Sequence, residues 1–464
     1  MLQEKALNTS QQLARNVVET SFRSFDQKAV QKAKWRILDA VGCAAVGVRA
    51  AGTAILRDIV KDWGGKEEST ILVYGGRVPA HNAAMLNSLM TRSFDFEPVE
   101  AEGEYKSSPA HISGTTVPTA LALAERTAAS GRDLITALLV GDDLACRLGV
   151  ASGFDFSLGW DNTGTINRFG ATAIAAKLLQ LDEKQTFNAF GIALNQLSGS
   201  MAGVFDKTLT FKLPIALASR DGIFAAELAG RGFSGVKEPF LGPRGFFALF
   251  CRNASTADLV KDIGQRYYAD CVIKPYSACR ATHPFIDCAL ELARHPDCKI
   301  TDIEKIVIHA TPGTIAGFCG QPFNPGATPQ VDGAFSIRYT VATALLRQNV
   351  KPEYFEDQYI HDPRVSGLIE KMEFESDIPK EKITGTELTV QMKSGKKITA
   401  RTDFPRGDFR RTPLTEEEIQ AKYRSNMAYS GLIGPAKSEQ ALGLIANLEN
   451  LADVRELTAC LVKE

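Results

Sequence analysis

The hydrophobic period of this chain changes twice, and that change limits the folds open to it. Up to about residue 260 the apolar residues recur at helical spacing. Gln27 to Val48 carries Val30, Ile37, Val41 and Ala45 on one side. Val117 to Ala129, Leu134 to Val150, Thr165 to Gln180, Glu183 to Leu197 and Asp221 to Arg231 continue the pattern. Turns at Ser130-Gly131-Arg132-Asp133 and Leu181-Asp182 divide them, and Gly232 stops the last. Their many Ala and Gly residues predict close helix packing. Near Tyr267 the texture shifts. Lys305 to His309 is short and β-branched, and Glu387 to Met392 and Lys397 to Thr402 flank Lys393-Ser394-Gly395-Lys396, a hairpin signal. Helical stretches lie around these strands at His283 to Arg294, Ser336 to Leu346 and Pro363 to Met372. After Pro405 helices return. Thr415 and Glu418 form a capping box for a helix through Arg424, followed by Ser438 to Leu448 and Ala452 to Val462. At 464 residues the chain is too long for one compact core. The expected fold is mainly α: a large all-α helical domain from residues 1–267 with 405–464, and an inserted smaller α+β domain, 268–404.

Bulk properties exclude several function classes. A formal net charge of -1 favours neither nucleic acid nor a membrane surface. No apolar run is long enough to span a bilayer. The first residues, MLQEKALNTSQQLARNVVE, lack a hydrophobic signal region and include acids, so the expected location is cytoplasmic. Nine cysteines are scattered with no C-x-x-C pair. That spacing argues against a zinc ribbon or a common iron–sulfur site, and free thiols are expected. No H-E-x-x-H, Walker A or nucleophile elbow occurs.

One segment carries an unusual density of proton-transfer groups. In Ser93 to Thr116, Asp95 and Glu97 alternate with Phe94 and Phe96, and His111 follows. Aromatic flanks desolvate carboxylates and move their pKa values. The same pattern also describes a polar loop between helices whose acids are merely solvated.

Seven blocks resolve the choice together. LNSLMTRSFDFE with its following histidine, VPTALALAE, SGRDLITALLVG and GWDNTGTINRFGATAIAAKLLQLDEKQTFNAFGIALNQLSG come first. ASRDGIFAAELA, KPYSACRATHPFIDCALELA and RGDFRRTPLTEEEIQAKYR complete the series. In this order they resemble the MmgE/PrpD family, which includes 2-methylcitrate dehydratases, cis-aconitate decarboxylases and iminodisuccinate epimerases. The resemblance implies a helical domain and a smaller α+β lid domain with the site in the cleft between them. It implies a homodimer, a small carboxylic acid substrate, and no metal or organic cofactor.

The resemblance also supplies candidate residues. Asp95 matches an acidic position of the family's D-F-D-D motif, and Glu97 stands where another Asp is usual. His111 matches the histidine of the H-P motif, here followed by Ile112. His111 is expected to transfer the proton, with Asp95 orienting or charging it; the structural alternative is a histidine capping a turn. Lys274 and Arg280 are candidate carboxylate clamps, or solvated surface charges. His283 opens a helix, where the dipole favours anions. Decarboxylase relatives place a histidine near Cys279, which counts against decarboxylation here. The family's T-K-x-L-H appears as Thr210-Phe211-Lys212-Leu213-Pro214, with the lysine displaced by one; Lys207 is a rival to Lys212. The family's G-W-H-P-T-G-T appears as Gly159-Trp160-Asp161-Asn162-Thr163-Gly164-Thr165, so Asp161 replaces a histidine and becomes a candidate base, with Thr165 a candidate substrate contact. The acids at 97–104 argue against a tricarboxylate, although Lys106 offsets part of that charge. His81, His295, His309 and His361 are expected to be surface or capping residues.

The expected activity is a cofactor-independent lyase, dehydratase in type, acting on a small hydroxy carboxylic acid by proton abstraction next to a carboxylate. An epimerase or isomerase of a substituted dicarboxylic acid is the alternative within the same cleft. A non-catalytic acid-binding relative is the third reading, motivated by Asp161 and Pro214 standing where the family has histidines.

Overall fold

A computed structural model of the chain describes residues 8–102, 107–257, 259–268, 270–381 and 385–463. Its body is helical. The first half runs α1 (Thr9–Glu19), α2 (Gln27–Gly47), α3 (Thr53–Trp63), α4 (Ala80–Arg92), α5 (Ile112–Arg126), α6 (Gly131–Ser152), α7 (Asn162–Leu178), α8 (Glu183–Leu194), α9 (Ala202–Phe205), α10 (Leu213–Gly230) and α11 (Phe246–Phe250). Next come α12 (His283–Arg294), α13 (Pro312–Ala316), α14 (Pro329–Ala334), α15 (Ile337–Arg347), α16 (Asp357–Ile360) and α17 (Pro363–Ile369). The chain closes with α18 (Glu416–Ser430), α19 (Pro435–Ala446) and α20 (Arg455–Cys460).

Local chemistry explains most boundaries. Asp26 caps α2, Ser130 and Asp133 form a capping box on α6, and Asp182 and Gln185 form one on α8. Two helices start earlier than periodicity predicted. α5 begins at Ile112 and carries Pro118 inside it; α10 begins at Leu213 with Pro214 in its first turn, where a missing N–H costs nothing. The stretch expected to stay helical to Met372 instead ends at Ile369, and Met372 opens a strand.

Among the described residues, strands occupy three small sheets. β1 (Ser69–Thr70) pairs with β2 (Arg77–Val78). β3 (Val99–Glu102) lies between β4 (Ser107–Ser108) and β5 (Asp270–Val272), antiparallel to both. The largest sheet has the order β7-β6-β8-β9, from β6 (Ile303–His309), β7 (Met372–Glu375), β8 (Thr386–Met392) and β9 (Lys397–Thr402). β8 and β9 are the expected hairpin, with Gly395 at φ 84° in its turn.

Two apolar cores result. The first joins α1 to α8 and α10 with residues from both chain halves, Ile419, Tyr423, Met427 and Leu457 among them. The second gathers the apolar faces of β6, β8, α12 and α15 and extends to Cys43, Val46, Phe94, Phe96 and Phe211. Phe94 and Phe96 therefore anchor the acidic segment against the second core, while the helices on either side of it belong to the first. No helix among the described residues is long and apolar enough to cross a membrane.

Candidate active site

The site is assembled by one turn and one strand register. Arg92 ends α4, and the next residues turn sharply. Asp95 takes φ 50° and donates its N–H to the Arg92 carbonyl at 3.0 Å. Aspartate is among the few residues that tolerate this left-handed conformation. β3 then pairs antiparallel with β5 through Val99 opposite Val272. Counting outward two residues in each direction sets Lys274 beside Glu97. Its Nζ donates to the Asp95 carbonyl oxygen at 2.5 Å and lies 3.1 Å from Asp95 Oδ1.

His111 enters from the opposite side as the residue preceding α5. α7 pins this segment: Asn167 Nδ2 donates to the His111 carbonyl at 3.0 Å, and Asn162 Nδ2 to the Pro109 carbonyl. The ring faces both acids. Its Nδ1 is 2.6 Å from Glu97 Oε1, and its Nε2 is 3.8 Å from Asp95 Oδ1. Nδ1 faces Glu97 Oε1 at a short distance but off the line of a regular hydrogen bond, and among the described residues neither Glu97 oxygen has another hydrogen-bond partner. Arg92 bridges the two acids, pairing with Asp95 and lying 3.3 Å from Glu97 Oε1.

Burial makes these charges interact strongly. Asp95, Glu97 and Lys274 are almost wholly enclosed, and the His111 side chain, 16% exposed, is the most open member. Burial pushes both carboxyls up, but Arg92 and the other cations overcome it, so Asp95 and Glu97 sit below the usual carboxylate range. Burial, then the positive charge of Arg92, holds His111 below the usual imidazole value against the pull of Glu97. His111 is therefore a neutral base at neutral pH.

Lys212 supplies the second titrating group. It ends the 3-10 turn Leu209–Lys212 and is buried, with Nζ donating to the Ala51 carbonyl at 2.8 Å. No described carboxylate lies within ion-pair distance of it, and the Arg92 guanidinium stacks on neighbouring Phe211 at 5.0 Å. Burial, then the charge of Arg92, lowers its pKa to about 7. The one-residue displacement from the family motif thus leaves a lysine in reach of the cluster's field.

A further layer went unsingled in the sequence. Asp39 of α2 pairs with Lys422 of α18 at 2.7 Å. Lys422 also donates to the Phe96 carbonyl at 2.8 Å and lies 3.7 Å over the Phe96 ring. Both chain halves hold the acidic turn in this way. Arg92 and Lys422 stand within the TRSFDFE and IQAKYR blocks, yet only the pairing geometry reveals their roles. Asp95, Glu97 and His111 offer donor atoms within 4.8 Å of one another, a spacing a metal could use. Arg92 and Lys274 already compensate the same carboxylates, so a cation there would have to displace them.

The remaining candidates are distributed differently. Asp161 caps α7, its Oδ1 accepting from the Thr163 N–H at 2.9 Å and Oγ1 at 2.7 Å. Its charge still reaches Arg92. Thr165 turns back to the Asn162 carbonyl at 3.2 Å within the first turn of α7 and lines a separate small cavity with Phe154, Trp160 and Phe250. Lys207 sits in the loop before Leu209 at φ 52°, its carbonyl accepting from Thr328. Cys279 is half-buried with its thiol against that of Cys319. Arg280, a candidate clamp or surface charge, donates from its guanidinium to the carbonyls of Arg406 at 2.7 Å and Pro405 at 3.1 Å. His283 was expected to meet an anion at a helix start. It is fully buried, with Nδ1 3.3 Å from Arg280 and Nε2 3.2 Å from the Ala278 carbonyl, so both nitrogens are occupied. Burial moves its pKa well below the ordinary value. Lys106 lies outside the described residues.

Comparison with known proteins agrees with this architecture. The MmgE/PrpD N-terminal domain model matches residues 11–258, and the MmgE/PrpD C-terminal domain model matches 276–450. The chain belongs to the MmgE/PrpD family. It is 26% identical over 483 residues to a cis-aconitate decarboxylase-like protein, oryM, of Aspergillus oryzae, covering 98% of each chain. It is 24% identical over 468 residues to a cis-aconitate decarboxylase of Aspergillus terreus, covering 94% of this chain and 92% of that one.

Proposed function

We propose that the protein is a lyase of the dehydratase type, acting without a cofactor on a small hydroxy carboxylic acid. The observation that carries this reading is the His111 ring held 2.6 Å from Glu97 at the edge of an otherwise enclosed charge cluster. With Nδ1 directed at Glu97, Nε2 keeps its lone pair. It takes the proton from the carbon next to a substrate carboxylate, and the imidazolium formed is stabilised by Glu97 and Asp95. The electron pair left on carbon forms the alkene as the C–O bond breaks. The departing hydroxyl takes a proton from Lys212, whose value near 7 suits it as an acid at neutral pH. Arg92 and Lys274 are already paired, so the cluster has little spare positive charge. This favours a substrate with few carboxylates.

A second reading has its own support. The two Aspergillus relatives carry decarboxylase names, and a desolvated lysine beside an arginine would stabilise the carbanion left by loss of carbon dioxide. Cys279, near which decarboxylase relatives place a histidine, weighs against it. Because the cluster is enclosed, substrate entry requires movement of the proposed lid, 268–404, away from the helical body. The working unit is proposed to be a homodimer.

Proton NMR in deuterium oxide, with a panel of hydroxy, amino and unsaturated di- and tricarboxylic acids, tests the reading. The expected result is an alkene formed from a hydroxy acid, or hydrated to one, and a fall of ~10²–10⁴-fold for His111→Ala. Loss of carbon dioxide with deuterium uptake would support the decarboxylase. Deuterium exchange without elimination would replace both with an epimerase.

A further inference from the structure

His309 stands apart from the active site at the end of β6, on the outward face of the largest sheet. Strand register places carboxylates directly on either side of it. The parallel partner of His309 on β7 is Glu375, and its antiparallel partner on β8 is Glu387. Side chains at paired positions project from the same face. Asp377, two residues beyond Glu375, completes the group. His309 Nδ1 is 2.7 Å from Asp377 Oδ2 and 3.9 Å from Glu375 Oε2, and its Nε2 is 3.9 Å from Glu387 Oε1. The imidazole therefore has acids at both nitrogens.

This grouping is not the usual surface arrangement of alternating charge. Among the described residues, Glu375, Asp377 and Glu387 have no lysine or arginine within ion-pair distance. Arg401 faces Glu387 across β9, but its guanidinium pairs with Asp403 at 3.1 Å. Lys305, on the same face of β6, pairs with Glu373 at 2.6 Å, and its charge also reaches Glu375. Three carboxylates thus converge on one largely covered histidine, and among the described residues the one other cation whose charge reaches them, Lys305, is itself paired with Glu373.

We propose that His309, Glu375 and Asp377 form a divalent cation site, with the ion on the Nδ1 side of the imidazole that both carboxylates face. Their donor atoms lie within 4.8 Å of one another. One imidazole nitrogen with carboxylate oxygens suits zinc or manganese. Tetrahedral zinc with ligands at ~2.0–2.2 Å needs donors about 3.3 Å apart. Glu375 and Asp377 are about half exposed, so rotation of their side chains can close the gap without moving the sheet. The ion would tie the ends of β6 and β7 together. It has no part in the chemistry at His111.

Zinc titration of metal-free full-length protein by calorimetry, in parallel with His309→Gln and Asp377→Asn, tests the site. The wild type is expected to bind one more equivalent than either variant, or to bind that equivalent at least about ten-fold more tightly. Zinc is also expected to raise the melting temperature of the wild type and leave that of the two variants unchanged. Comparing variants with wild type removes any contribution from the cysteines. Equal stoichiometry and affinity in all three proteins, with all three folded by circular dichroism, would overturn the proposal and leave the cluster a histidine–carboxylate ion pair only.

Discussion

At the residue scale, the titrating groups of the site differ in how they were found. Asp95, Glu97 and His111 were readable because their types and spacing match a motif, and the structure brings all three within contact of one another. Arg92 was inside the same block but carried no signal of its own; its role follows from a turn that folds it back over both acids. His283 shows the opposite outcome. A histidine at a helix start looks like an anion site in sequence, yet packing from Tyr276 at 5.2 Å and the Ala278 carbonyl seals it. Lys212 yields a prediction with a definite sign. Its folded-state value of about 7 lies below the ordinary 10.5, so folding releases a proton between those values. Wild-type stability should rise as pH climbs through that window, because the unfolded chain binds more protons. Lys212→Met removes the penalty. Its stability gain over wild type, measured by urea unfolding, should be larger at pH 6 than at pH 9. As the proposed acid, Lys212 should make wild-type activity fall as pH climbs above about 7, a fall that the residual activity of the same variant should lack.

At the scale of elements, capping chemistry and turn residues made boundaries legible, while close approaches did not. The Lys393-Ser394-Gly395-Lys396 turn and the Thr415 capping box hold as expected. The strand β5 has no such signature, since its three residues pair with β3 only after the chain has crossed the molecule. That pairing delivers Lys274 to Asp95. The approach of α2 to α4 is similarly silent in sequence. A Cβ on Gly47 would lie 2.0 Å from the Met90 carbonyl oxygen, so α2 and α4 touch backbone to backbone there. These helices carry Asp39 and Arg92. Gly47→Ala should therefore separate them and cost about 1–3 kcal/mol, read as a lower melting temperature, with a loss of activity beyond that of the stability alone. An unchanged melting temperature would mean that the contact is readily relaxed.

At the scale of the molecule, the amphipathic α3 leaves Ile55, Ile59 and Trp63 exposed at four-residue spacing, hence on one face. Apolar residues grouped in this way fit the homodimer expected of the family. Light scattering should give twice the chain mass, and Ile59→Asp should shift it towards the monomer; an unshifted mass would place the dimer contact elsewhere. Taken alone, the sequence determined the alternation of helical and strand segments, the caps that bound them, the family and the residue types available for proton transfer. These are local properties, set by spacing of a few residues. The tertiary structure decided which groups meet. The charge state of His111, the lowered value of Lys212 and the pairing of Lys422 with Asp39 depend on burial and on distances between separate segments of the chain. Such energies arise only when water has been excluded from around the charges, and no local pattern encodes that exclusion.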